Sequence, residues 1–249
     1  MANTSLRETQ AGSFGAVAAL YERARPSYPS DALDWLLPDG SPEVLDLGAG
    51  TGKLTRLIDE RGLHVEAVDP SEQMLAELQH VLPDVTTHVG SAEHIPVPDA
   101  SFDAVVVAQA WHWVEVPQAA AEVGRVLRPD GRLGLIWNDR DDRVEWVREL
   151  AALTGVAGGG RRGMAVDNPV IGPPFGQIEY FVTEWSYPMT PAGLLDLFAS
   201  RSDVIIAPRD ERERILGGIQ RLLDHHPDLV GRDEFELPYV TYASRAHLK

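Results

Sequence analysis

The sequence has no cysteine and only two lysines, Lys53 and Lys249, among its 249 residues. Without cysteine there can be no disulfide bond, no thiolate nucleophile and no zinc site that uses cysteine ligands. Lysine and arginine together number 22 against 38 for Asp and Glu, which gives a formal net charge of −16. Such a surface repels nucleic acid and anionic membranes, and no basic run offsets it, so we expect neither as a partner.

Long apolar runs are also missing, since no segment approaches the ~18 apolar residues of a membrane span. The apolar stretch FGAVAAL at 14–20 lacks a clean basic lead, so we predict a helix there and not a secretion signal. The adjacent His225 and His226 do not have a metal-site spacing and predict a solvated helix end. Together these features predict a cytoplasmic protein without a bound metal.

From residue 43 onward, short apolar strands alternate with helical patterns. Strands this apolar, separated by helices, are typical of a parallel sheet that is covered on both faces. The RPDG sequence at 128–131 predicts a turn. The predicted strands are 43–48, 64–69, 84–89, 102–110 and 132–138, and the predicted helices are 52–61, 71–80 and 117–127.

The two ends of the chain predict helical additions to this core. We expect one domain over 1–249, made of an N-terminal helical cap (1–42), a core (43–138) and a second half (139–249). The second half holds a Gly/Pro-rich loop at 155–176 and the last two strands, and its helices complete a small cap. The remaining predicted helices are 14–25, 30–37 with Ser30 as N-cap, 144–153, 191–200 and 210–224, and the last strands are 177–189 and 236–246.

The stretch EVLDLGAGTGKL at 43–54 ends a strand in a glycine-rich turn, which is typical of a nucleotide site. A phosphate-binding P-loop would need a glycine where Leu47 stands and Ser or Thr where Leu54 stands, so ATP is weakly supported. A dinucleotide fingerprint would need its third glycine at Lys53, whereas Gly52 comes one residue early. NAD stays open as a minority interpretation.

S-adenosylmethionine (SAM), which has no phosphate, fits the spacing better. It needs a tight turn with bare backbone, and an acid at the end of the next strand that accepts from both ribose hydroxyls. Asp69 closes the strand HVEAVD and lies 17 residues after Gly52. The segment GSAEHIP at 90–96 follows the third strand, where a flank for the adenine is expected.

Taken in order, four segments resemble class I SAM-dependent methyltransferases. They are VLDLGAGTGKL, AVDPSEQML, GSAEHIPVPDASFDAVVVAQAWHWV and EVGRVLRPDGRLGLI, and the resemblance covers about residues 43–138. It implies a Rossmann-like, seven-stranded, mostly parallel α/β sheet with helices on both faces, an antiparallel last strand and a small helical cap. It also implies methyl transfer from SAM, with S-adenosylhomocysteine as the product.

The same resemblance implies which residues contact the cofactor. The turn after the first strand should line the methionyl chain, and Asp69 should hold the ribose. The segment at 91–93 and the residues after Asp69 should flank the adenine, and the end of the fourth strand should lie under the ribose and sulfur. The set implied is Asp46, Gly48, Ala49, Gly50, Thr51, Gly52, Asp69, Pro70, Met74, Ser91, Ala92, Glu93, Gln109 and Ala110.

Two further stretches resemble small-molecule methyltransferases, in particular trans-aconitate methyltransferase-like proteins. They are YERARPSYP at 21–29 and AQAWHWV at 108–114. The GPPF sequence at 172–175 differs from the box of nucleic-acid amino-methyltransferases, because glycine replaces the polar residue and the box follows the fifth strand. We therefore expect a small-molecule acceptor.

These stretches hold the remaining candidate residues, each with a structural alternative. Tyr21, Arg25 and Tyr28 could close over the cofactor's carboxylate or an anionic acceptor, or Arg25 could pair with a surface acid while the tyrosines pack. Trp111 and Trp113 could wall the acceptor pocket, or pack at the strand end. His112 could remove a proton from an acceptor hydroxyl, or be a structural histidine.

Three functions stay open on the sequence alone. The main hypothesis is SAM-dependent methylation of a small molecule, at an O, N or C atom that the sequence does not specify. The second is a SAM-binding regulatory or accessory protein that does not methylate, and the third is an NAD-dependent reductase.

Overall fold

The computed structural model of the chain describes residues 26–40, 42–153 and 169–249. The predicted helix at 14–25, the candidate residues Tyr21 and Arg25, and most of the predicted loop at 155–176 lie outside these residues. Among the described residues no helix is long and apolar enough to cross a membrane, and no cluster of His, Asp or Glu could hold a metal ion.

Seven strands form one sheet in the order β3-β2-β1-β4-β5-β7-β6. Strands β1 to β5 pair in parallel, and the last strands run antiparallel. The predicted Rossmann-like mixed α/β sheet is therefore confirmed. The strands are β1 Glu43–Leu47, β2 His64–Asp69, β3 Thr86–Val89, β4 Phe102–Ala108, β5 Leu127–Arg140, β6 Phe175–Met189 and β7 Phe235–Leu248.

The helices predicted within the described residues all occur, with ends that move by one or two residues. A short helix at Ser202–Ile205 was not predicted, and a single 3-10 turn covers Trp111–Trp113. The α-helices are α1 Ser30–Leu36, α2 Lys53–Asp59, α3 Glu72–Val81, α4 Val116–Val126, α5 Glu145–Leu153, α6 Pro191–Ala199, α7 Ser202–Ile205 and α8 Arg209–His225.

The RPDG sequence is not a turn between two elements, as the sequence predicted, but an irregular part of β5. The pairing of β5 with β4 passes from Phe102↔Leu127 to Ala104↔Arg132, so extra residues on β5 oppose one residue on β4. Asp130 has the left-handed φ of 66° that a turn would use. The turn-forming residues therefore make a bulge inside a continuous strand.

The predicted cap of α1 is also wrong. Pro29 takes the N-cap position with φ −61° and ψ 141°, and it has no side-chain cap bond. Ser30 is the first helical residue, and its Oγ donates to Asp34 Oδ2 at 3.3 Å. Because the proline ring fixes φ, the chain enters the helix one residue earlier than a serine cap would require.

The chain divides into two compact units. The described part of the core unit comprises 27–40, 42–139, 169–183 and 241–249, and that of the second unit comprises 26, 140–153 and 184–240. The single domain with boundaries at 42 and 138, as drawn from the sequence, stays a prediction.

Each unit has its own apolar core. In the core unit, alternate residues of β1 and β4 point to opposite faces of the sheet, as strand geometry requires. Leu45 and Val105 pack on the face covered by α4, whereas Val44 and Ala104 pack on the face covered by α1, α2 and α3. The second unit packs α5, α6 and α8 around residues that include Trp146, Leu150, Leu194, Phe198 and Ile219.

Candidate functional site

The strand order reverses between β1 and β4, and ligands of open α/β sheets bind outside the carboxyl ends of the strands at such a point. The turn Gly48–Gly52 follows β1, and the segment Gln109–Trp113 follows β4. A Cβ atom added to Gly48 would lie 2.9 Å from Ala110 Cβ. The structure therefore brings these two predicted groups of site residues into contact.

The glycine turn uses backbone conformations that side chains resist. Gly48, Gly50 and Gly52 have φ of 77°, 58° and 87°. A Cβ atom on Gly52 would also lie 2.7 Å from Leu78 Cγ of α3. The amides of Gly48 and Ala49 both donate to Val68 O, at 2.8 and 3.1 Å, and so fix the turn against the end of β2.

Asp46, near the end of β1, is fully buried. Thr55 Oγ1 donates to its Oδ2 at 2.6 Å, and its Oδ1 has no hydrogen-bond partner within the described part of the chain. Burial raises the pKa of Asp46 to about 7, and the neighbouring charge of Asp69 adds to the rise. A buried acceptor without a donor is costly, so Oδ1 is suited to a donor that a ligand supplies.

Asp69, at the end of β2, is 8% exposed and has both oxygens engaged. Oδ2 accepts from Gly50 N at 2.9 Å, and Oδ1 accepts from Ser71 N at 2.8 Å. Burial raises the pKa of Asp69, against the lowering effect of these two bonds. Each carboxylate oxygen keeps a second lone pair, so Asp69 can still accept from ribose hydroxyls while it holds the turn.

The residues expected around the adenine lie on two loops. Pro70 is exposed and Met74 is buried, while Ser71 caps α3 by accepting from Met74 N at 3.3 Å. Ser91 and His94 exchange backbone bonds at 3.2 and 3.1 Å. Ala92, beside them, is buried in the core.

Glu93 has a structural task that the sequence did not reveal. Its Oε1 accepts from Glu115 N at 2.8 Å, immediately before α4. One carboxylate oxygen thus satisfies one of the backbone N–H groups at a helix N-terminus. If Glu93 also contacts the adenine, it must do so while Oε1 keeps its bond to Glu115 N.

The segment after β4 begins with a strained residue. Gln109 has φ 58°, which is uncommon for a residue with a side chain and is typical of functional sites. Its backbone N donates to Ile136 O at 2.9 Å, and its Nε2 donates to Asn138 O at 3.0 Å. Two bonds to β5 thus hold the position implied to lie under the cofactor.

The two tryptophans after Gln109 lie in different environments. Trp111 is 3% exposed, packs in the core and donates from Nε1 to Val170 O at 3.0 Å. Trp113 is 43% exposed, and its ring centroid lies 4.7 Å from that of the half-buried His112. The burial of Trp111 agrees with the packing alternative, while the exposed Trp113 has surface available to an acceptor; the acceptor-wall role stays a prediction for both.

Comparison with known proteins gives this arrangement its context. A family model described as a methyltransferase domain matches residues 45–135. An uncharacterised methyltransferase of Mycobacterium tuberculosis is 49% identical over 245 residues, which is 98% of this chain and 99% of that protein. The chain belongs to the class I SAM-dependent methyltransferases.

Two further similar proteins support the same family assignment. An uncharacterised methyltransferase-like protein of Schizosaccharomyces pombe is 34% identical, with 90% of each chain covered. A solved structure described as a type II methyltransferase from Anaeromyxobacter dehalogenans has a TM-score of 0.60 at 26% identity, and covers 90% of this chain and 97% of that one. The family uses SAM, so the ATP and NAD interpretations lose their support.

The residues present fit SAM. The bare turn Gly48–Gly52 leaves room for backbone contact with the methionyl chain. Asp46 Oδ1, which has no donor among the described residues, suits an ammonium group. Asp69 suits the ribose hydroxyls. Tyr28, in the segment before α1, is half-buried, and its role toward the ligand stays a prediction.

Sequence reasoning missed three residues that support this site. Thr55 bonds Asp46, Ser71 bonds Asp69, and Asn138 bonds Gln109. Thr55 and Asn138 could have been noticed as polar residues in otherwise apolar patterns, in LTRLI and at the end of RLGLIWN. Ser71 could have been noticed as a helix cap two residues after a strand-end acid.

Proposed function

We propose that this methyltransferase transfers the methyl group of SAM to a small-molecule acceptor and releases S-adenosylhomocysteine. The observation that carries the proposal is the exposed Trp113, with its ring near that of His112, in the segment after β4 whose Ala110 lies against the glycine turn. An aromatic face of this kind suits a planar or cationic organic group. The net charge of −16 makes a polyanionic acceptor such as nucleic acid unfavourable.

When bound, SAM supplies a methyl group that is already activated on a sulfonium. The protein's task is therefore to position the reacting groups and exclude water. Asp46, Asp69 and the glycine turn would fix the cofactor, and Gln109 would set the floor beneath it. Trp113 would hold the acceptor next to the transferred group. As the acceptor–methyl bond forms and the sulfur–methyl bond breaks, a protonated acceptor loses its proton.

His112 is our candidate for receiving that proton. It is half-buried, with its ring tilted at 43° to that of Trp113, at the carboxyl end of the sheet, where an acceptor hydroxyl would come. If it is the base, His112→Ala should keep affinity for S-adenosylhomocysteine and lower turnover by roughly 10²–10⁴-fold. If the acceptor is a carboxylate, which needs no base, the variant should lose mainly acceptor affinity.

A panel of acceptors tests the proposed function directly. The wild-type protein with SAM is offered small carboxylates, phenols and amines, and S-adenosylhomocysteine release is measured for each. Oxygen acceptors come first, because the malonyl-[acyl-carrier protein] O-methyltransferase of Serratia marcescens is 35% identical over 127 residues, or 47% of this chain. Turnover only with an oligonucleotide, or none with any acceptor while S-adenosylhomocysteine binds, would contradict the proposal. The cytoplasmic location stays a prediction.

A further inference from the structure

The side chain of Asn138, at the carboxyl end of β5, joins parts of the core unit that are far apart in sequence. Its Nδ2 donates to Ser27 O at 2.9 Å, and its Oδ1 accepts from Thr241 Oγ1 at 2.6 Å. Its main-chain oxygen accepts from Gln109 Nε2 at 3.0 Å. One residue thus connects the segment before α1, the end of β4 and strand β7.

The chemistry of the partners fixes the orientation of the Asn138 amide. The Ser27 carbonyl can only accept a hydrogen bond, so the NH₂ group must face it. The carbonyl oxygen of the amide then faces Thr241, which is fully buried and donates its hydroxyl proton. A carboxylate could accept from Thr241 but could not donate to Ser27, so the site distinguishes asparagine from aspartate.

Each of the two segments held by Asn138 has a feature that is typical of a ligand site. Gln109 keeps a left-handed backbone, which persists only when the surroundings over-determine it. Ser27 Oγ is buried and has no hydrogen-bond partner among the residues that the structure describes. A buried hydroxyl without a partner is costly unless a ligand or water completes it. Ser27 also directly precedes Tyr28.

We propose that Asn138 is a positioning residue for cofactor binding. It holds the Ser27–Pro29 segment and the Gln109 turn together at the carboxyl edge of the sheet, so that both face the ligand in one fixed arrangement. The inference rests on the proposed function, because it takes S-adenosylhomocysteine as the ligand. It requires no contact between Asn138 and the ligand itself.

The test is Asn138→Asp, with S-adenosylhomocysteine affinity measured by calorimetry as a ratio to wild type. Near pH 8 the ionised carboxylate lacks a donor and faces the Ser27 carbonyl oxygen, so affinity should fall by about 10- to 100-fold. We expect the repulsion between this carboxylate and the Ser27 carbonyl oxygen to raise the pKa of the new carboxyl above its ordinary value. Toward about pH 5.5 the protonated acid regains an O–H donor, and the ratio should recover.

Two further variants separate positioning from loss of stability. Thr241→Val removes the hydroxyl that donates to Oδ1 and brings in no titratable group, so it should weaken binding by about 3- to 10-fold with no recovery at low pH. Gln220→Glu makes the same amide-to-acid change on the exposed face of α8, where Gln220 Nε2 bonds Asp224, and should bind like wild type at both pH values. Melting temperatures are measured for all variants, and binding is measured well below each.

The outcomes are distinguishable. Recovery of binding at low pH by Asn138→Asp alone supports the inference. Equal binding by wild type and Asn138→Asp at both pH values, or a reduced melting temperature with unchanged affinity, overturns the positioning role and leaves the proposed function standing. No binding of S-adenosylhomocysteine by the wild type at either pH overturns both.

Discussion

Two aspartates lie at the carboxyl ends of adjacent strands, and they differ in burial and in hydrogen bonding. Asp46 on β1 is fully buried, with one oxygen bonded to Thr55 and the other without a donor among the described residues. Asp69 on β2 lies at the rim, with both oxygens accepting backbone N–H groups from Gly50 and Ser71. Burial raises the pKa of both carboxyls.

The difference shows that one residue type at one sheet edge can serve two purposes. Asp69 has its hydrogen bonds made in advance, so it is a rigid acceptor that also holds the turn. Asp46 is left incomplete, which is unfavourable in the protein alone and becomes favourable when a ligand donates to it. We expect a cationic donor at Oδ1 to stabilise the ionised form of Asp46.

Asp46→Asn should change the free energy of unfolding more than any other substitution considered. The pKa of Asp46 rises from 3.8 to about 7 on folding, so the folded state favours the protonated form. Ionisation therefore destabilises the folded wild type progressively between about pH 4 and about pH 7, by roughly 4 kcal/mol in total. Asp46→Asn should lose this pH dependence. The free energy of unfolding of the variant minus that of wild type should therefore increase as the pH rises from 4 to 7. Urea unfolding across this range measures it.

The exposed substitution Asp84→Asn gives the matched control, since it makes the same change in charge without a buried group. It should follow the wild-type profile. Parallel stability profiles for Asp46→Asn and wild type would show that Asp46 is not destabilised by burial, and would remove the contrast with Asp69.

The next largest effect is on cofactor affinity, in Asp69→Ala. Loss of two charge-assisted bonds, at roughly 1.5–3 kcal/mol each, should weaken the binding of S-adenosylhomocysteine by about a hundredfold or more. Because Asp69 also accepts from Gly50 and Ser71, some stability should be lost with it. Asp69→Asn keeps one acceptor oxygen and should lie between alanine and wild type. Unchanged affinity for S-adenosylhomocysteine in a folded variant would show that Asp69 does not bind the ribose.

A smaller effect distinguishes two glycines of the turn that Asp69 holds. Gly50→Ala and Gly52→Ala both force a side chain into a left-handed conformation, at about 1–2 kcal/mol. Only the Gly52 variant also meets Leu78, whereas nothing lies within 4 Å of a Cβ on Gly50. Gly52→Ala should therefore be less stable than Gly50→Ala by about 1–3 kcal/mol. Equal free energies of unfolding would contradict the packing of α3 against the turn.

The smallest effect concerns the acceptor side. Trp113→Ala should raise KM for the acceptor by about tenfold, as expected for loss of one aromatic contact, and leave affinity for S-adenosylhomocysteine unchanged. Tyr180→Ala, at a similarly exposed aromatic on β6, provides the control and should leave both unchanged. If Trp113→Ala lowered affinity for S-adenosylhomocysteine and left KM for the acceptor unchanged, Trp113 would contact the cofactor and not the acceptor.

The sequence predicted the parts of this site that depend on local spacing. Asp46 and Asp69 lie at strand ends and the glycine turn follows β1 directly, so the local sequence indicates all three, and the apolar patterns located most strands and helices. Local sequence patterns predicted less where packing against another element determined the conformation or burial of a residue. RPDG has turn residues, yet pairing with β4 draws it into a strand, and the pattern around Trp111 is the same for a core residue as for a pocket wall.

The remaining parts could not be predicted because they depend on long-range contacts. The bond between Asn138 and Ser27 joins residues 111 positions apart, and that between Asn138 and Thr241 joins residues 103 apart. The bond from Glu115 N to Glu93, at the start of α4, likewise depends on how two loops meet. In the second unit the periodicity predicted helices and strands, but no spacing there indicated a chemical role.

The carboxyl edge of β1 and β2 should bind an adenosyl cofactor that has no phosphate. The decisive measurement is calorimetric titration of the wild-type protein with S-adenosylhomocysteine and, in parallel, with NAD. We expect saturable binding of S-adenosylhomocysteine that Asp69→Ala weakens by about a hundredfold, and no binding of NAD. Tight binding of NAD with no heat from S-adenosylhomocysteine would contradict the account.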